Sequence, residues 1–112
     1  MRREERKGDM RETRIDRKQY TRMLGIFVRT TRDDVRTLRD AVERADREVT
    51  SRLAHHIKGA AEGLELGEIA YNAQFIEERV DRPDKLLELL AICDEIDRQL
   101  TSVSRQFGIA EG

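Results

Sequence analysis

Two adjacent histidines, His55 and His56, are the only imidazoles in the chain. An imidazole can ligate a metal, move a proton or act as a nucleophile. Spacing narrows that choice. Neighbours on a helix point about 100° apart, so the pair forms no one-face chelate. No His-Glu-x-x-His and no paired cysteine adds ligands, so no metal site is expected. Gly59, Gly63 and Gly67 are not followed by Lys-Ser or Lys-Thr, which excludes a phosphate-cradling P-loop. Around His55 a small constellation remains. Ser51, Lys58, Gly59 and Glu62 fall within about 60° of it on a helical wheel, and Arg52 flanks it. Lys58 sets an ammonium beside the ring, and Gly59 removes bulk from it. Gly inside a helix costs about 1 kcal/mol relative to Ala. On an outer face, close approach of something large is a reason to accept that cost.

Presenting His55 in this way requires helices. Tyr20, Leu24, Phe27, Thr31, Val35, Leu38 and Val42 recur at spacings of three and four, which predicts a long amphipathic helix over about 19–45. The run Thr30-Thr31-Arg32-Asp33-Asp34 is a candidate kink or cap within it. A second helix starts near Asp46 or Arg47 and carries Val49, Leu53, Ile57, Ala60 and Leu64. Gly63 and Gly67 suggest a turn after it, or small residues that permit close packing. A third helix carries Leu66, Ile69, Ala73, Ile76 and Val80 and must end before Pro83. Pro83 can open the fourth, whose stripe runs Leu86, Leu89, Leu90, Cys93, Ile96, Leu100, Val103 and Phe107, with Gly108 as its stop. Cys93 is expected to be a buried, inert thiol. Phe75 falls near the outside of the third helix, open to a partner, a second copy or the N-terminal tail. No segment alternates like a half-buried strand. The fold expected is all-α, an antiparallel up-down-up-down four-helix bundle with an N-terminal extension.

With Val49 at zero, the second stripe clusters between roughly 0° and 80°. His55 then falls near 240°, opposite the core, and is expected to be exposed. His56 falls near 340°, at the edge of the core, and is expected to be partly packed and hydrogen-bonded.

Composition excludes other classes. The chain has 112 residues, 40% charged, 38% apolar and 4% aromatic, with a net charge of −1 and a single Cys. That excludes a disulfide framework, and no apolar run approaches the roughly 20 residues of a bilayer span. A near-neutral balance argues against a dedicated nucleic-acid binder. Residues 1–18 read as a charged tail, partly helical towards its end, either solvated or a docking arm. Residues 19–110 read as the bundle domain. The initial Met favours a separate chain.

The run Ala54-His55-His56-Ile57-Lys58-Gly59-Ala60-Ala61 resembles the signature of histidine-containing phosphotransfer domains: His, any residue, an aliphatic, Lys, Gly and two small residues. Leu64, Ile69, Ala73, Ile76 and Glu77 follow at offsets where that family places Leu, Leu, Ala, Leu and Glu. Phe27, Leu38, Val42 and Asp46 fit the helix before the motif. The resemblance implies that His55 accepts a phosphoryl group from a receiver-domain aspartyl phosphate and passes it to another receiver. It implies that Lys58 neutralises phosphoryl oxygens, that Gly59 clears space and that Glu77 orients the imidazole. Ser51, Arg52 and Glu62 would meet the receiver. No cofactor is implied in this chain, because Mg²⁺ belongs to the receiver. The implied partners are response-regulator receivers and a histidine kinase or hybrid kinase, met by a cytoplasmic monomer without kinase activity of its own. Two positions depart from the family: Glu62 where it prefers a small residue, and Glu65 where it usually has Gly. The alternative is a non-catalytic helical adaptor with a silent histidine.

Overall fold

The structure is a computed structural model that describes residues 16–111. Most of the tail expected over 1–18 lies outside the described residues; its last three, 16–18, already cap and open the first helix. Four helices follow: α1 (Arg17–Glu43), α2 (Arg47–Gly63), α3 (Gly67–Glu77) and α4 (Leu86–Phe107). There is no strand among the described residues. Each helix packs on its chain neighbours, and α4 returns to α1 to close the ring. The directions are antiparallel. Arg32 of α1 meets Asp97 and Thr101 of α4, whereas Arg39, further along α1, meets Leu90 and Asp94.

Local chemistry sets the ends. The Asp16 carboxylate accepts from the Gln19 N–H at 2.8 Å and Asp46 from the Val49 N–H at 3.2 Å, capping α1 and α2. Helix α1 runs unbroken through Thr30–Asp34, where a kink or cap was a candidate. Thr31 turns into the core, Arg32 reaches α4 and Asp33 pairs with Arg36 on the surface. None of these side chains takes the backbone's hydrogen bonds away. Helix α3 ends at Glu77, short of Val80, because Pro83 holds Arg82 at φ −111°, ψ 87°. Pro83–Lys85 form one 3₁₀ turn, and α4 begins at Leu86 rather than at Pro83. Gly108, at φ 65°, stops α4 in the left-handed conformation.

The core joins all four helices: Leu24, Val28 and Leu38 from α1, Ile57 from α2, Ile76 from α3, Ile96 and Leu100 from α4. Cys93 lies among them, and burial pushes its thiol up to about 12. Phe75 is half-buried against this core with the Arg79 guanidinium 3.5 Å above its ring, so it is not a free outer aromatic. Among the described residues no helix is long and apolar enough to cross a membrane.

Candidate functional site

Helix α2 buries Thr50, Ala54, Ile57 and Ala61. On the same wheel these centre near 110°, about 70° from the centre given by Val49, Leu53, Ile57, Ala60 and Leu64. Small side chains do the burying, because they let neighbouring helices come close. Thr50 tolerates it by donating its hydroxyl to the Asp46 carbonyl at 2.7 Å. Val49, Leu53 and Ala60 flank the buried face and are half-buried.

This rotation changes the expectation for one histidine and leaves the other. His55 and His56 stand about 130° to either side of the buried face. His55 is exposed as expected, at 71% of its side chain. His56 is exposed as well, at 64%, and is not the packed, hydrogen-bonded residue its edge position suggested. Its nearest carboxylate, Asp34 of α1, is 4.0 Å from Nε2, too far for a hydrogen bond.

His55 turns to the α3 side. Its Nδ1 lies 3.0 Å from Glu77 Oε2. Glu77 is the last residue of α3, and its side chain is 27% exposed. An ionised carboxylate only accepts hydrogen bonds, so the shared proton sits on Nδ1. In the neutral ring Nε2 then carries the free lone pair. Helix α3 thus holds the ring by one nitrogen and leaves the other to solvent.

The remaining positions lie along the same face of α2. Lys58 and Ser51 are half-buried, while Arg52, Gly59 and Glu62 are exposed. Neither Lys58 nor Arg52 forms an ion pair among the described residues. A Cβ placed on Gly59 would meet nothing within 4 Å, so nothing inside the molecule requires glycine there. The same holds at Gly63 and Gly67, which rules out close packing as their role. Nor do they make the turn. Glu65 does, at φ 61°, with the Leu66 N–H donating to the Ala61 carbonyl at 2.8 Å and the Glu65 N–H to the Glu62 carbonyl at 3.0 Å. That is a Schellman closure with glutamate in the place glycine usually takes. A parallel turn lies at Ala45, φ 56°, whose one signal in the sequence is Asp46, the cap that follows it.

Among the described residues no three His, Cys, Asp or Glu side chains are grouped closely enough to hold a metal ion. The arrangement offers an imidazole held by one nitrogen, a lysine three residues further along the helix and open space at Gly59.

None of the curated proteins and none of the solved structures compared with the chain matches it. The sequence profile described as Hpt domain matches residues 22–106. The match runs from the first helix to the last turn of the fourth, and it includes His55, Lys58, Gly59 and Glu77. The chain therefore belongs to the Hpt domain family, the histidine phosphotransfer modules that work with receiver domains and kinases in two-component phosphorelays.

Proposed function

We propose that His55 is the phosphoacceptor, taking its phosphoryl group from a receiver aspartyl phosphate and returning it to the aspartate of another receiver. The observation that carries this reading is the asymmetry of the His55 ring, with Nδ1 bound to Glu77 at 3.0 Å and Nε2 outward. In the forward step the Nε2 lone pair attacks phosphorus. The N–P bond forms, the P–O bond to the aspartate breaks, and the carboxylate leaves with the electron pair. The ring keeps its Nδ1 proton and gains positive charge beside Glu77, which stabilises it. Such transfer depends on positioning and charge stabilisation more than on covalent machinery. Lys58 meets the phosphoryl oxygens. Open space at Gly59 admits the receiver, with Ser51, Arg52 and Glu62 at the contact. Mg²⁺ enters with the receiver. The protein acts as a cytoplasmic monomer.

The test mixes phosphorylated receivers with wild type, His55→Gln and His56→Gln and follows intact mass at neutral pH. Acid-labile phosphorylation of wild type and His56→Gln, absent from His55→Gln, is the expected result. Phosphorylation that survives His55→Gln overturns the assignment. Binding without transfer would make the domain a silent adaptor.

A further inference from the structure

The carboxylate that holds His55 stands at a helix end closed differently from the other three. Left-handed residues stop α1 at Ala45, α2 at Glu65 and α4 at Gly108, and positive φ occurs nowhere else among the described residues. Helix α3, whose last residue is Glu77, has none. The next residue, Glu78, keeps helical angles, φ −72° and ψ −14°, so no backbone reversal seals the last turn.

A side chain seals it instead. A continuing helix would give the Arg79 N–H to the Phe75 carbonyl. That N–H donates to the Ile76 carbonyl at 3.0 Å. The Phe75 carbonyl is left over, and the Arg79 guanidinium takes it, Nη1 donating at 3.2 Å. The same guanidinium lies 3.5 Å over the Phe75 ring, which is half-buried against the core. It also pairs with Glu78 at 3.5 Å, and Glu78 accepts from Gln74 Nε2 at 2.8 Å. A cation at this place suits the dipole of the helix end. The residues on both sides of Glu77 are therefore tied by side chains, and the tie runs through Phe75 into the core.

We propose that Arg79 is a positioning residue for His55. It makes no hydrogen bond to the imidazole and acts through Glu77. By keeping the last turn of α3 wound, it keeps the Glu77 carboxylate 3.0 Å from Nδ1. Without it the turn frays, as helix ends without a closure do, and the carboxylate leaves the ring for part of the time. The effect on transfer rests on the phosphotransfer reading, whereas the effect on the ring's proton does not.

The test uses the whole chain and compares wild type, Arg79→Ala, Arg79→Lys, Glu77→Ala and the double variant Glu77→Ala/Arg79→Ala. Two readouts are taken: the His55 tautomer by long-range ¹H–¹⁵N NMR, and single-turnover transfer at saturating phosphorylated receiver. Arg79→Ala is expected to lower the share of His55 rings protonated on Nδ1 and to slow transfer roughly 2- to 5-fold, the range an exposed cation–π contact supplies. Arg79→Lys, which keeps a cation, recovers much of both. In the Glu77→Ala background, removing Arg79 adds no further slowing, because the residue through which it acts is gone. An unchanged tautomer in Arg79→Ala overturns the proposal. Equal slowing with and without Glu77 overturns it too, since a merely structural role would add in both backgrounds. If Arg79→Ala fails to fold, Phe75→Leu decides, because it removes the ring under the guanidinium and keeps an apolar side chain on the core; the same two shifts are expected and their absence overturns the proposal. No transfer to wild type from receivers that bind it overturns the phosphotransfer reading, and the tautomer alone then decides the role of Arg79.

Discussion

Glu77 holds His55 through Nδ1, whereas Asp34 stands nearest to Nε2 of His56. Two histidines of similar exposure are therefore unequally held, His55 by a hydrogen bond to α3 and His56 by none among the described residues. Glu77→Ala is expected to slow phosphorylation of His55 about tenfold, the effect of losing one charge-assisted hydrogen bond near 1.5 kcal/mol. Glu77→Gln keeps an acceptor without charge and should fall between. Single-turnover rates at saturating receiver check both, and equal rates in all three proteins would refute an orienting role. The spacing of Lys58 and Gly59 made His55 legible in the sequence, and the family resemblance added Glu77. The large aliphatics of α2 point about 70° away from Thr50, Ala54 and Ala61, where burial lies, so the stripe alone puts His56 too close to the core.

Helix ends set where the site stands. Asp46 caps α2 and so sets the start of the helix that carries His55, and α3 begins at Gly67 beyond its other end. Two turns do this with residues unsuited to positive φ, Ala45 at 56° and Glu65 at 61°. Left-handed backbone costs an L-residue roughly 1–2 kcal/mol, partly offset by glycine's greater freedom when unfolded. Ala45→Gly and Glu65→Gly are each expected to stabilise the domain by about 1 kcal/mol in urea unfolding. Destabilisation by either would contradict the strain assigned to these turns. Stripe periodicity and Pro83 revealed four helices and their order. Periodicity did not reveal the turn residues, because glycine nearby drew the turn to Gly63 and Gly67 while the backbone placed it at Glu65.

Across the whole molecule, ring closure between α1 and α4 is what the sequence disclosed least, because its ties join residues far apart in the chain. Arg32 donates to Glu111 through Nε at 2.6 Å and Nη2 at 3.0 Å, and to the Asp97 carbonyl and the Thr101 hydroxyl. The Arg32 guanidinium pulls the Glu111 carboxyl from 4.5 down to about 2. A carboxyl lowered on folding adds stability that is complete above its free value and disappears as pH falls through its folded value. The contribution of this tie is therefore present above about 4.5 and lost towards about 2. Glu111→Gln is expected to flatten that part of the acid-unfolding curve, read by helicity against pH; an unchanged acid limb would contradict the tie. A ring closed in this way presents His55 from a fixed frame, with one nitrogen held and the other offered. The most direct measurement is long-range ¹H–¹⁵N correlation NMR of the protein phosphorylated by a receiver. A single phosphorylated imidazole is predicted, His55, with phosphorus on Nε2 and the proton still on Nδ1. Phosphorus on Nδ1 of His55, or on either nitrogen of His56, would contradict the assignment.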